Sequence, residues 1–135
     1  MRNELTTSKI NLYVTEHFKY TDCVCPCCDR VKLIPEFYEH MEKLELLRCK
    51  FGYPIIINSG YRCPVHNREI SGAKRSWHMR KFATDIRPNW DGGKEYTERL
   101  AEMYAQALEL NFGGLGKYST FIHLDMRPVK TRWTI

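Results

Sequence analysis

The chain has 135 residues, 43% hydrophobic and 13% aromatic, enough for one core and too few for two ordinary domains, so residues 1–135 are expected to form a single domain. Lys and Arg outnumber Asp and Glu by 21 to 16, and the net charge of +5 favours an anionic partner, a wall polymer or a nucleic acid, without choosing between them. No run approaches the roughly 18 apolar residues of a membrane span, and the start MRNELTTSKINLY lacks the basic and then apolar stretch of a signal peptide, so a product made in the cytoplasm is expected.

The first feature along the chain is the cluster Cys23, Cys25, Cys27 and Cys28. Six cysteines without an export signal argue against a disulfide framework. The C-x-x-C spacing in Cys25-Pro26-Cys27-Cys28 makes these four candidates for a structural zinc, with Cys49 and Cys63 as natural further ligands. Buried thiols, or a disulfide formed after release, fit the same residues, because a distant C-x-x-C or H-x-x-H partner pair is missing.

From Pro35 to about Lys50, Phe37, Met41, Leu44 and Leu47 recur three or four apart and predict a helix that Gly52 and Pro54 end. Ile55-Ile56-Ile57 before Asn58-Ser59-Gly60 predicts a buried strand leading into a turn. Ser71 to Ser76 reads as a loop and Phe82 to Ile86 as a second strand. After Asp91-Gly92-Gly93, the spacing of Leu100, Met103, Tyr104, Ala107 and Leu108 predicts another helix, closed by Asn111, Gly113 and Gly114. Phe121 to Met126 is the last expected strand, and the tail from Pro128 to Ile135 carries Trp133 as a packing lid. The order helix, strand, strand, helix, strand implies an α+β fold with a small antiparallel or mixed sheet and flanking helices.

The last strand alternates fully. Ile122, Leu124 and Met126 point one way and His123, Asp125 and Arg127 the other, giving a core face and a polar row. That row suits either a functional site or a solvated face. His78 and Asp85 stand seven apart, an odd separation, so a bend must intervene if both are to reach one ion. Taken alone they suit either a metal pair or a surface pair.

Together these residues resemble the zinc D-alanyl-D-alanine carboxypeptidases, their phage endolysin relatives and the structurally related hedgehog signalling domain. The family pattern of S-G-Y-R, C-P-x-H-N, G-G-A, S-x-H-x-x-G-x-A-x-D, G-G-x-G-x-Y and F-x-H-x-D-x-R is met at several places. They are Ser59-Gly60-Tyr61-Arg62, Cys63-Pro64-Val65-His66-Asn67, Gly72-Ala73, Ser76, His78, Ala83, Asp85, Gly113-Gly114-Leu115-Gly116-Lys117-Tyr118, and Phe121, His123, Asp125, Arg127. The resemblance runs from about Thr15 to the end and is nearest to the short, phage-associated members. Lys81 replaces the glycine of the first metal motif, and Ser71 replaces the first glycine of G-G-A.

The resemblance implies a hedgehog/DD-peptidase-like fold in which His78, Asp85 and His123 hold one catalytic zinc and leave a fourth position for water. It makes Asp125 the first choice for the general base. The rival role is to orient a histidine or pair with Arg62, and many relatives carry their base further upstream, where this chain has Thr120 and Phe121. Arg62 is expected to bind the substrate carboxylate or the oxyanion, Ser76 and Tyr118 to hydrogen-bond the substrate, and Trp77 and Trp133 to line the cleft.

The expected activity is that of a zinc metallopeptidase cutting peptide bonds of bacterial peptidoglycan, as a D-Ala-D-Ala-type carboxypeptidase or a cross-link endopeptidase. The alternative is a catalytically inactive, zinc-containing cell-wall binding module. A nucleic-acid binder, suggested by Lys74-Arg75 and Arg80-Lys81, ranks below both. The expectation is a monomer that reaches the wall as a phage lysis or virion protein.

Overall fold

Residues 12–135 and the backbone of Glu4–Thr6 are described in a computed structural model. Most of the stretch read for a signal peptide lies outside the described residues. Glu4–Thr6 forms β1, which pairs antiparallel with β2 (Arg30–Lys32), a small ribbon that the sequence pattern does not announce.

Helix α1 (Pro35–Phe51) starts on Pro35, whose missing N–H costs nothing in a first turn, and ends on Gly52 at φ 80°, where the Gly52 N–H reaches the Arg48 carbonyl. Phe37, Met41, Leu44 and Leu47 are fully buried along one stripe, as their spacing predicts, and His40 joins them. Ile55–Ser59 forms β3, Pro64–Glu69 the short α2, Trp77–Arg80 the one-turn α3, and Ala83–Pro88 the strand β4. Helix α4 (Gly93–Leu108) buries Leu100, Met103 and Ala107. Three strands complete the chain: β5 (Gly114–Lys117), β6 (Ile122–Asp125) and β7 (Thr131–Thr134).

The five strands order as β3-β4-β6-β5-β7, antiparallel except for the parallel β5/β7 edge, so the α+β mixed sheet is as expected. Phe82, Ile86, Leu115, Ile122 and Leu124 join the buried residues of α1 and α4 in one core. One expectation changes. The triple-isoleucine strand lies at the sheet edge and is half-buried rather than enclosed. The tail that carries Trp133 forms a strand whose backbone closes the open side of β5. Among the described residues no helix is long and apolar enough to cross a membrane.

Candidate metal centre

Register across the sheet builds the site. Ser59 of β3 stands opposite Asp85 of β4, Asp85 opposite His123 of β6, His123 opposite Gly116 of β5, and Gly116 opposite Trp133 of β7. A shift between Ile57 and Ser59 in the β3/β4 ladder puts Ser59 in this row. At Gly116 the absence of a side chain is what the row requires, since a Cβ there would overlap the Trp133 indole, which lies beside the His123 ring with centroids 5.4 Å apart. The next row toward the other end of β6 repeats the device: a Cβ at Gly114 would strike the Asp125 carboxylate.

His78 reaches the same point from α3. Ser76 caps the turn by accepting the His78 N–H at 3.3 Å, and the His78 carbonyl accepts the Arg62 N–H at 3.0 Å. The bend between His78 and Asp85 falls at Lys81, at φ −128° and ψ −95°, so the residue in the family's glycine position does not take the left-handed φ that favours glycine. Ser71 differs: its φ is 55°, the left-handed region that favours the glycine it replaces.

The donor set is held by its neighbours. His78 Nδ1 donates to the Gly60 carbonyl at 2.7 Å, which turns Nε2 toward the site. That nitrogen is 3.1 Å from Asp85 Oδ1 but out of line for a hydrogen bond, and it is buried without a partner. His123 Nε2 meets Asp125 Oδ2 at 2.8 Å, and its Nδ1 faces the same Asp85 Oδ1 at 2.9 Å. One carboxylate oxygen and two ring nitrogens therefore converge in a buried spot, with the far nitrogen of each ring held by a carbonyl or carboxylate. Burial opposes the charge of Asp85, but its contacts with His123 and His78 outweigh that and hold the carboxyl well below the usual range. Burial likewise opposes a cationic His123, yet Asp125 and Asp85 together raise its pKa. Such a spot calls for positive charge, and a divalent cation on N and O donors fits it.

A cleft of about 450 Å³ opens over these atoms, lined also by Arg62, Ser76, Trp77, Tyr118 and Arg127. Arg62 donates to Asp85 Oδ2 at 3.3 Å and to Ser59 Oγ at 3.2 Å. Tyr118 Oη accepts from Trp133 Nε1 at 3.0 Å while its ring stacks on Phe121. Trp77 and Trp133 line the cleft as expected, with the Arg127 guanidinium against both rings.

Asp125, the residue expected to act as the base, lies on the far side of His123. It is fully buried behind His123 rather than in the cleft, and both oxygens are taken, by His123 and by Arg127 at 2.6–3.1 Å. The partner of Arg62 is Asp85, and that of Asp125 is Arg127. Arg127 carries no role in the sequence reading, although its place two residues beyond Asp125 on the polar face was a usable signal.

The cysteines also group differently from expectation. Cys25, Cys27, Cys28 and Cys63 bring their sulfurs within 4.8 Å of one another. Cys23 turns into the core, where its Sγ faces the Lys19 carbonyl and Met41 Sδ, and Cys49 stands exposed on α1 beside Glu45. Cys23 closes the short turn Tyr20–Asp22, ahead of the separate Cys25–Asp29 turn that gathers the other three, and Cys63 joins them from the start of α2.

A search of curated proteins finds no match. The family comparison is positive: residues 9–125 match peptidase M15, and the chain belongs to that family.

Proposed function

We propose that this peptidase M15 chain is a zinc-dependent hydrolase of peptide bonds in bacterial peptidoglycan, with one catalytic zinc held by His78, Asp85 and His123. The observation that carries the reading is the buried, partnerless Nε2 of His78 beside the Asp85 oxygen that His123 Nδ1 also faces. The chemistry a zinc supplies in such a setting is Lewis acidity toward the scissile carbonyl and an acidified water at neutral pH.

The residues around it divide the remaining work. Arg62, Arg75 and Arg127 line one cleft, which favours a substrate rich in carboxylates, as the stem peptides of peptidoglycan are. Arg62 is nearest Asp85 and is suited to hold a terminal carboxylate or the developing oxyanion. Ser76 and Tyr118 bring hydroxyls to the cleft lining. Asp125 fixes the tautomer and tilt of His123 and is a positioning residue in this reading. The shared core of the described residues supports taking residues 1–135 as a single peptidase domain. Likeness to the short phage-associated members supports a phage lysis or virion protein acting at the wall.

The test is incubation of the purified protein with isolated sacculi, with chelator, and with chelator followed by zinc. Mass spectrometry of the products separates the two chemistries: free D-alanine marks a carboxypeptidase, and opened cross-links mark an endopeptidase. Chelator-sensitive, zinc-restored release is expected. Sacculus binding with no bond cut would establish the inactive binding module instead, and chelator-insensitive release would remove the metal from the mechanism.

A further inference from the structure

The cysteines that gather away from the cleft form a built site of their own. Cys25-Pro26-Cys27-Cys28 closes a tight turn in which Asp29 N–H reaches the Cys25 carbonyl at 2.8 Å and Cys25 N–H reaches the Arg30 carbonyl at 2.8 Å. Asp29 completes the turn at φ 54°, a left-handed angle that brings the chain straight back on itself. The turn leaves Cys25, Cys27 and Cys28 around one point, and Cys63 comes to it from far along the chain.

The spacing suits a tetrahedral thiophilic ion. Cys27 Sγ lies 3.6 Å from Cys25 Sγ and 3.1 Å from Cys63 Sγ, whereas four sulfurs about 2.3 Å from a zinc stand about 3.8 Å apart. Backbone donors aim at the sulfurs as they do at thiolates: Cys63 N–H at Cys25 Sγ and His66 N–H at Cys63 Sγ, each 3.4 Å. Thiols are weak donors and acceptors, so four of them have little reason to crowd together unless an ion collects them.

We propose that Cys25, Cys27, Cys28 and Cys63 bind a structural zinc that fastens the N-terminal turn to the segment carrying Gly60 and Arg62. The two stretches already abut: Tyr61 N–H donates to the Cys23 carbonyl at 2.9 Å, and a Cβ on Gly60 would lie 2.6 Å from that oxygen. Gly60 in turn offers its carbonyl to His78 Nδ1, and Arg62 its N–H to the His78 carbonyl. The thiolate zinc thus steadies the partners that orient His78. This last consequence rests on the catalytic reading above, but the thiolate site itself does not.

The experiment uses the full chain purified under reducing conditions, with zinc counted by mass spectrometry and with cobalt exchanged for zinc. Two zinc equivalents are expected in the wild type and one each in Cys63→Ser and His78→Ala. Thiolate-to-cobalt charge-transfer absorption should be present in the wild type and in His78→Ala and lost in Cys63→Ser. Removing this ion should also weaken the retained metal about 10–100-fold in chelator competition, as loss of an orienting partner does. A wild type with one equivalent and no charge-transfer band overturns the proposal, as does a Cys27–Cys63 disulfide in the native protein. One equivalent that survives His78→Ala and keeps the band upholds the thiolate site and sinks the catalytic reading instead. The wild-type count and spectrum decide the matter even if Cys63→Ser does not fold.

Discussion

His123 is gripped from both sides, by Asp85 at 2.9 Å and by Asp125 at 2.8 Å, and Asp125 is in turn clasped by Arg127. Replacing Asp125 with Asn keeps the shape but removes the charge that holds the ring. The expected result is a 10–100-fold loss of metal affinity in chelator titrations, with activity restored by excess zinc. Were Asp125 the general base, activity would fall with affinity intact. Arg127→Met leaves the Asp125 carboxylate buried without its cation. Breaking a fully buried pair costs about 3–5 kcal/mol; Arg127 keeps 21% of its side chain exposed, so a loss of about 2–3 kcal/mol in urea unfolding is expected.

At the scale of elements, β5 and β7 depend on each other through what they lack and what they carry. Gly116→Ala would press a methyl group into the Trp133 ring. Overpacking of this kind costs about 1–3 kcal/mol, and it should move the denaturation midpoint together with tryptophan emission. The helices were legible because Phe37 to Leu47 and Leu100 to Ala107 repeat at the helical period over several turns. Strand β5 was not, because Gly114-Leu115-Gly116-Lys117 has little intrinsic strand preference and its glycines answer to side chains from β6 and β7. Helices α2 and α3 are too short to show a period. The three expected metal ligands meet in space, and the alternation around His123 pointed to that face. The full burial of Asp125 was hidden because alternation gives a side, not a depth. The exchange of Cys23 for Cys63 was hidden because pairing between distant segments is set by topology.

For the molecule as a whole, acid should be harmful for a reason seated behind the site. His40 is fully buried between Phe82 and Phe112, with Nε2 on Thr84 Oγ1 at 2.8 Å, and burial pushes its pKa down to about 3. An unfolded histidine titrates near 6.5. Between these values the unfolded chain holds the extra proton, so stability rises with pH across the window and is lost as pH falls below about 6.5. Urea midpoints measured from pH 7 to pH 4 should drop more steeply for the wild type than for His40→Gln, and equal slopes would refute this. Strand β6 has neighbours on both sides, and Asp85 and His123 face each other within its ladder with β4. Their amide protons should therefore be among the slowest in the protein to exchange with deuterated solvent, released by global unfolding rather than by fraying. An ion bound there would slow exchange throughout the sheet by a common factor, and stripping it would loosen the whole sheet at once.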